Sequence, residues 1–323
     1  MPEKTYRNLA FPTSIPIDTT SHCNLKCSMC THKNMTRPKG RMEAALFKKI
    51  IDEISIINKK TRIWPVFFGE ALLLKKTKPS IFEMISYAKK KGLEDVSLNT
   101  NACLLDKDSC IKLLDSGLDS IHIGLDAISE NTYNKIRIGG DYNKVVNNVL
   151  TLIDLANNKK RNPLKIRVQF IEMEENIKER DEFIKYWKNK NVDIKIRKKI
   201  SWCGGINSKS TDNFYRHPCY WILNTLAITH DGNVTTCPAD PNAKYVAGNV
   251  LTQSISDIWN GTLKKIREIH LNNEWELLPE PCKSCPDWIY SYEDSILSKK
   301  NRTNYLVKIL DVLGIKKHGK DTL

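Results

Sequence analysis

The stretch Cys23-Asn24-Leu25-Lys26-Cys27-Ser28-Met29-Cys30 sets three thiols close together, with three and then two residues between them. A [4Fe–4S] cluster takes four ligands, and cysteine thiolate is its usual protein ligand. Three cysteines at this spacing would hold three irons and leave the fourth open for a ligand that is not protein. A zinc site is the alternative, since zinc takes four Cys or His ligands and His22 or His32 could provide the fourth.

The composition is that of an ordinary globular protein of 323 residues, with 41% hydrophobic and 27% charged residues. The sequence contains no apolar run of about 18 residues, so we expect no membrane-spanning helix. The first seven residues lack the apolar segment of a secretory signal peptide. We therefore expect a cytoplasmic protein.

The cysteine count and the charge bear on partners. Ten cysteines in a cytoplasmic chain favour metal or redox sites over structural disulfides. The formal net charge of +14 suits an anionic partner, but a lysine-rich composition that serves solubility explains it equally well. We expect no nucleic-acid partner, because no basic stripe is interleaved with aromatic residues.

Beyond the first cysteines, buried-strand patterns alternate with helical patterns of apolar residues. Strands are predicted at 14–18, 61–68, 94–99, 120–125, 165–172 and 193–197. Helices are predicted at 43–58, 81–91, 107–116, 143–158 and 178–190. This order predicts a parallel sheet covered by helices, an α/β fold, with functional residues at the carboxyl ends of the strands.

The spacing of the three cysteines resembles the CxxxCxxC signature of the radical S-adenosylmethionine (SAM) enzymes. The resemblance implies a partial (β/α)6 TIM-like barrel over residues 1–197, with the cluster loop after the first strand. It also implies that SAM binds the open iron of a [4Fe–4S] cluster and is cleaved to a 5′-deoxyadenosyl radical.

Three short segments after predicted strands resemble SAM-binding motifs of that family. Phe68-Gly69-Glu70-Ala71 resembles Gly-Gly-Glu-Pro, and Glu70 keeps the carboxylate that the amino group of SAM needs. Asn99-Thr100-Asn101-Ala102 is similar to Thr-Asn-Gly. Gly124-Leu125-Asp126-Ala127 resembles Ser-Leu-Asp-Gly, but the serine that often contacts the cofactor is replaced by glycine.

A fourth segment, Tyr133-Asn134-Lys135-Ile136-Arg137-Ile138-Gly139-Gly140, is a close match to the family. Its Arg137 would pair with the carboxylate of SAM, a role suited to a guanidinium group. Met29 occupies the position where the family usually has an aromatic residue beside the adenine. The residues predicted by resemblance to bind SAM are Met29, Gly69, Glu70, Asn99, Asn101, Gly124, Asp126 and Arg137.

A second group of cysteines follows the last predicted strand: Cys219, Cys237, Cys282 and Cys285. Gly232 lies between the first two, at a spacing that resembles the SPASM/twitch extension of radical SAM enzymes. Ser291 stands where a full SPASM domain would have its next cysteine, so the resemblance implies one auxiliary [4Fe–4S] cluster. A structural zinc site with four cysteines is the alternative. We predict a small α+β cluster-binding extension over 198–290 and a basic tail, 291–323, with a helix at 305–313.

Three cysteines and one acidic residue lie outside these motifs. Cys103 and Cys110 are interpreted as packing residues. Cys203 is interpreted as a buried residue or as a thiol that returns a hydrogen atom to a substrate radical. Asp240, just after Cys237, could face the substrate or form an ordinary turn.

The sequence supports one main hypothesis for the reaction and three alternatives. An auxiliary cluster could accept an electron while an alcohol is oxidised to a carbonyl, and the cysteine count and spacing resemble an aminocyclitol dehydrogenase. The predicted substrate is a sugar, a nucleotide sugar or an aminocyclitol, and the predicted reductant is a flavodoxin or a ferredoxin. The alternatives are an epimerase that uses Cys203, a ribosomal peptide maturase and a two-cluster electron carrier. A first strand near residue 14 leaves little room for a leader-binding domain, which weakens the peptide hypothesis.

Overall fold

The computed structural model describes residues 8–159, 164–206 and 215–291. The predicted helix at 305–313 and nearly all of the predicted basic tail lie outside these residues. Within the described ranges, no helix has both the length and the apolar character that a membrane span requires.

Among the residues that the structure describes, six parallel strands form the wall of a partial barrel. They are β1 (Ser14–Pro16), β2 (Arg62–Trp64), β3 (Ser97–Thr100), β4 (Ser120–Gly124), β5 (Lys165–Glu172) and β6 (Asp193–Lys198). Strands β1 and β2 pair in parallel, β3 to β6 form a parallel sheet in chain order, and a bridge between Ile63 and Val96 joins the two groups. The predicted α/β partial barrel is confirmed, although β2 is much shorter than the predicted strand.

Over residues 8–159 and 164–206, six α-helices cover the barrel: α1 (Ala44–Ile57), α2 (Ile81–Lys90), α3 (Lys107–Asp115), α4 (Glu130–Ile136), α5 (Tyr142–Asn157) and α6 (Arg180–Lys188). Helix α1 buries Phe47, Ile50 and Ile54, which recur every three or four residues and so share one face. Helix α2 starts with a capping box between Ser80 and Glu83. Helix α4 was not predicted, because its sequence was interpreted only as part of a cofactor-binding motif.

The part of the extension that the structure describes contains a three-stranded antiparallel sheet and four α-helices. Its elements are α7 (Tyr220–Asn224), β7 (Ala227–Ile228), β8 (Asn233–Thr235), β9 (Val246–Asn249), α8 (Ile255–Asn260), α9 (Thr262–Leu271) and α10 (Trp288–Ser291). A tight turn at Asp231-Gly232 joins β7 to β8, and an Asp-Gly pair is a residue signal for such a hairpin turn. Gly232 has a φ of +87°, a conformation that glycine adopts without steric cost.

The extension is joined to the barrel through the first strand. Backbone N–H groups of Thr13 and Asp18 donate to the carbonyls of Asn224 (2.9 Å) and Ile228 (2.8 Å). Between them, the N–H of Leu226 donates to the carbonyl of Ser14 (3.1 Å). One hydrophobic core includes buried residues of both parts, such as Ile15 and Ile228. The extension therefore packs as a continuation of the barrel.

Candidate functional site

The first three cysteines face one pocket at the carboxyl ends of the strands. Cys23, Cys27 and Cys30 line this pocket together with Met29. The loop that carries them is held by two backbone hydrogen bonds, from Lys26 to the carbonyl of Ile138 and from Ser28 to that of Ile136, each 2.9 Å. The end of α4 therefore fixes the cysteine loop.

The Cys23 and Cys30 thiols are protonated unless a metal binds. Burial raises the pKa of Cys23 to about 12 and also raises the pKa of Cys30. Iron binding must therefore release these protons. His32, which was considered as a fourth zinc ligand, donates from Nε2 to the carbonyl of Ser21 over 2.7 Å. That nitrogen is engaged with the backbone.

Glu70 is held in the pocket by three donors. Its Oε1 accepts from the N–H of Leu72 (3.1 Å) and from the hydroxyl of Thr100 (2.8 Å), and its Oε2 accepts from the N–H of Asn101 (2.8 Å). Burial nevertheless raises the pKa of this carboxyl group. A positively charged ligand such as the ammonium of SAM would stabilise its ionised form.

Gly69 allows two chain segments to approach closely. A Cβ atom at this position would lie 2.0 Å from the carbonyl oxygen of Thr20 and 2.7 Å from that of His22. The N–H of Glu70 donates to the same carbonyl of His22 over 2.8 Å. Only glycine fits here, and this contact positions Glu70 beside the cysteine loop.

Arg137 crosses the pocket above Gly124. Its Nε donates to Oδ2 of Asp126 over 2.8 Å, its Nη2 donates to the same oxygen, and its Nη1 lies 3.7 Å from Sγ of Cys27. A Cβ atom at Gly124 would lie only 2.1 Å from Nη2 of Arg137. The glycine that replaces the family's serine therefore makes room for the guanidinium group.

The pocket gathers seven of the eight residues predicted to bind SAM. They are Met29, Gly69, Glu70, Asn99, Asn101, Gly124 and Arg137. The eighth, Asp126, does not line the pocket but orients Arg137, and its Oδ1 accepts from the N–H of Ile171 over 2.7 Å. Asn101 also donates from Nδ2 to Oδ1 of Asn24 in the cysteine loop over 2.9 Å.

Sequence reasoning missed the rest of the pocket wall, which includes Phe68, His122, Gln169, Arg197 and Trp202. The strand pattern could have indicated two of them, because residues two apart in a strand point to the same side. His122 shares a face of β4 with Gly124, and Gln169 shares a face of β5 with Ile171. Burial, aided by nearby Arg167 and other cationic groups, lowers the pKa of His122 to about 2. Its Nε2 lies 3.3 Å from Nη1 of Arg167, so this histidine is a neutral hydrogen-bonding group.

The second group of cysteines converges in the extension. Burial raises the pKa of Cys219 to about 12, and the neighbouring Cys237 and Cys285 thiols add to this effect. Burial also raises the pKa of Cys282, again with contributions from the other three. The four predicted auxiliary ligands are thus close enough to influence one another electrostatically.

Cys203, interpreted from the sequence as a buried residue or as a hydrogen donor at the barrel mouth, is buried and lies with these auxiliary cysteines. Contact with the thiols of Cys237 and Cys285, together with burial, raises the pKa of Cys203 well above its ordinary value. Cys203 does not line the barrel pocket, whereas the preceding residue, Trp202, does. The two neighbours therefore contact different sites.

Asp240 has the contacts of a turn residue. It is buried, its Oδ1 accepts from the N–H of Asn242 (3.2 Å), and its Oδ2 accepts from that of Tyr245 (3.4 Å). It does not line the barrel pocket. Cys103 and Cys110 are buried in the main core, in agreement with their interpretation as packing residues.

A family profile described as the Radical SAM superfamily matches residues 17–193, more than half of the chain. The chain belongs to the Radical SAM superfamily. A second profile, SPASM, described as an iron-sulfur cluster-binding domain, matches residues 219–286. This radical SAM enzyme therefore has SAM and two iron–sulfur clusters as its cofactors. The convergence of thiols at both sites, and the carboxylate and guanidinium beside the first, fit these groups.

Similar sequences carry different names. Over 188 residues the chain is 30% identical to a probable GTP 3′,8-cyclase of Methanocaldococcus jannaschii, covering 57% of each protein. Over 184 residues it is 26% identical to the tungsten-containing aldehyde ferredoxin oxidoreductase cofactor-modifying protein of Pyrococcus furiosus, covering 56% of this chain and 49% of the relative. The chain spans about half the length of the curated relatives it matches.

Two solved structures share the fold over most of the chain. BtrN in complex with AdoMet and 2-DOIA has a TM-score of 0.61 and 19% identity, covering 87% of this chain and 94% of BtrN. Streptococcus suis SuiB bound to its precursor peptide SuiA has a TM-score of 0.64 and 14% identity, covering 80% of this chain and 67% of SuiB. At these identities the similarity concerns the fold alone.

Proposed function

We propose that this radical SAM enzyme oxidises an alcohol of a small polar substrate to a carbonyl. The substrate class is a sugar, a nucleotide sugar or an aminocyclitol. The observation that carries the proposal is the adjacency of Trp202, which lines the barrel pocket, and Cys203, which contacts the auxiliary cysteines. A single peptide unit thus connects the substrate pocket with a redox site.

The pocket wall supports a hydroxylated substrate. His122, Gln169 and Arg197 offer hydrogen-bonding groups that suit hydroxyl or phosphate oxygens, and Phe68 and Trp202 offer aromatic faces. The rings of Phe68 and Trp202 lie 5.4 Å apart, so they form one apolar wall. Such a combination of a few polar groups with an aromatic wall is typical of small-molecule sites.

Oxidation of the alcohol to a carbonyl removes a hydrogen atom, a proton and an electron from the substrate. When bound, the first cluster with SAM supplies the radical that takes the hydrogen atom, and the auxiliary cluster accepts the electron. Hydrogen bonds from His122, Gln169 and Arg197 position the alcohol. Phe68 and Trp202 exclude water from it. Neutral His122 orients a hydroxyl group rather than binding charge, and the proton passes to solvent.

Cofactor-binding roles follow from the same contacts. Glu70 would bind the ammonium of SAM and Arg137 its carboxylate, while Met29 would pack against the adenine. The Cys23, Cys27 and Cys30 thiolates would hold three irons of the first cluster. We propose a flavodoxin or a ferredoxin as the reductant, since acidic carriers of this kind suit the net charge of +14.

Product mass in deuterated water tests the proposal. Anaerobically reconstituted enzyme is incubated with SAM, dithionite and candidate sugars, nucleotide sugars and aminocyclitols, and product and 5′-deoxyadenosine are measured by mass spectrometry. We expect a product two mass units lighter than the substrate, formed together with 5′-deoxyadenosine. The matched control is the variant Cys23→Ala/Cys27→Ala/Cys30→Ala, which should form neither.

An epimerase is the second candidate, and the same measurement distinguishes it. Its product would be one mass unit heavier in deuterated water, and the signal would be lost in Cys203→Ser. That outcome would contradict the dehydrogenase proposal. The contact of Cys203 with the auxiliary thiols, and not with the pocket, supports the oxidation. Peptide modification remains a prediction to be tested with peptides encoded beside the gene.

A further inference from the structure

We propose that Cys203 is itself a ligand of the auxiliary cluster. This inference rests on the iron–sulfur cofactors of the chain and is independent of the proposed substrate. Sulfur and oxygen atoms of Cys203, Cys285 and Asp287 all lie within 4.8 Å of one another, the kind of grouping that can hold a metal. The Cys203 thiol also contacts Cys237, so it lies between two of the predicted ligands.

The packing around Cys203 groups it with the other ligands. A small apolar cluster contains Cys203, Trp221, Cys237 and Ala239, with Cys219 and Cys285 packed against it. Cys282 packs instead against the main core. Five cysteines therefore surround a site where a cubane cluster has four corners. If Cys203 binds one corner, one of the four motif cysteines does not bind the cluster. The packing indicates that this cysteine is Cys282.

The backbone is arranged to present Cys203 to this site. Trp202 and Cys203 both have a φ of 54°, in the left-handed region that non-glycine residues rarely adopt. Such conformations persist only where the surroundings determine them, and they concentrate at functional sites. An ordinary packing cysteine needs no such turn.

Asp287 holds the turn in place. Its Oδ1 accepts from the N–H of Ser201 over 2.6 Å and its Oδ2 accepts from that of Cys203 over 2.8 Å. The N–H of Asp287 in turn lies 3.3 Å from Sγ of Cys285. The carboxylate is fully buried, so one side chain fixes the distance between Cys203 and the Cys282-Lys283-Ser284-Cys285 loop.

Ligation would join the cluster directly to the pocket wall. As the iron–sulfur bond forms, the Cys203 thiol loses its proton to solvent. Trp202 donates from Nε1 to the carbonyl of Met29 over 2.8 Å, so the next residue toward the barrel contacts the first cysteine loop. With Cys203 as a cluster ligand, one peptide unit would separate that ligand from Trp202, which lines the substrate pocket.

The test uses the full chain carrying Cys23→Ala/Cys27→Ala/Cys30→Ala, so that only the auxiliary cluster forms. Iron, sulfide and the electron paramagnetic resonance (EPR) spectrum of the dithionite-reduced protein are measured after anaerobic reconstitution. The parent should bind about four irons. Adding Cys203→Ala should lower iron or give a three-iron EPR signal in the protein before dithionite is added. Cys203→Ser should shift the EPR spectrum of the dithionite-reduced protein, because oxygen replaces sulfur at one iron.

Two controls keep the test decisive. Cys110→Ala removes a buried thiol of the main core and should leave iron and spectrum unchanged. Single alanine variants of Cys219, Cys237, Cys282 and Cys285 show whether one is dispensable, and we expect that one to be Cys282. An unchanged spectrum in both Cys203 variants would overturn the proposal. So would a strict requirement for all four motif cysteines, since no corner would remain for Cys203. Neither result affects the proposed oxidation, which is judged by product mass.

Discussion

Restoring the serine of the family motif at position 124 should weaken SAM binding. The family's Ser-Leu-Asp-Gly segment corresponds to Gly124-Leu125-Asp126-Ala127, so Gly124→Ser would look like a return to the usual sequence. In this chain the added Cβ would lie 2.1 Å from Nη2 and 2.9 Å from Cζ of Arg137. Non-bonded heavy atoms do not approach that closely, so the guanidinium group must move by about 1 Å.

The magnitude follows from the bonds that this movement breaks. Arg137 donates twice to Asp126 and approaches Sγ of Cys27 at 3.7 Å. A hydrogen bond to a charged group is worth about 1.5–3 kcal/mol, and a loss of that size corresponds to about 10- to 150-fold in affinity. We therefore expect the Kd for SAM to rise by one to two orders of magnitude.

The assay is isothermal titration of SAM into anaerobically reconstituted enzyme with equal iron content in each variant. Gly124→Ala is the matched control for the hydroxyl group, because it adds the Cβ atom alone and should show a similar loss. Arg137→Lys should also bind weakly, since lysine cannot donate twice to Asp126 in the same plane. If Gly124→Ser binds SAM within twofold of the parent, the packing argument for this glycine is wrong.

Three further predictions concern the cofactors and the stability of the barrel. Reconstituted enzyme should contain about seven to eight irons and as many sulfides per chain. Replacing the four cysteines of the SPASM-like motif by alanine should halve both contents. Four irons with one zinc in the parent would contradict a second cluster. Glu70→Gln should raise the Kd for SAM at least tenfold, because an amide NH₂ would face donors that now point at a carboxylate; unchanged affinity by titration would show that Glu70 does not bind the ammonium. Ser80→Ala removes the cap of α2 and should cost about 1 kcal/mol, seen as a Tm lower by a few degrees with no change in SAM affinity; a changed affinity would contradict a purely structural role.

The sequence predicted the barrel because its evidence is local. Strand and helix patterns repeat within short windows, and the three cysteines and Glu70 lie in short motifs directly after strands. The same holds for the hairpin turn at Asp231-Gly232, where residue type alone indicates the backbone conformation. These features needed no knowledge of distant contacts.

The arrangement around Arg137 and Cys203 could not be predicted in this way. The role of Gly124 depends on a guanidinium group that comes from the end of α4, and the motif alone suggested a missing cofactor contact. Cys203 meets Cys285 through a turn that Asp287 holds, more than eighty residues along the chain. Such long-range pairings are determined by the packing of the extension on the barrel and leave no periodic signal.

The hydrogen bonds from Thr13 and Asp18 to Asn224 and Ile228 have a consequence for protein engineering. The cluster-binding extension is not an interchangeable cassette, even though a sequence boundary near residue 198 suggests one. A chimera that transfers only the later residues to another barrel would leave these carbonyls without their donors and would expose the apolar face behind β7. A working transplant has to carry β1 and its flanking residues, so the recipient must give up its own first strand and, with it, the segment that leads into its first cysteine loop.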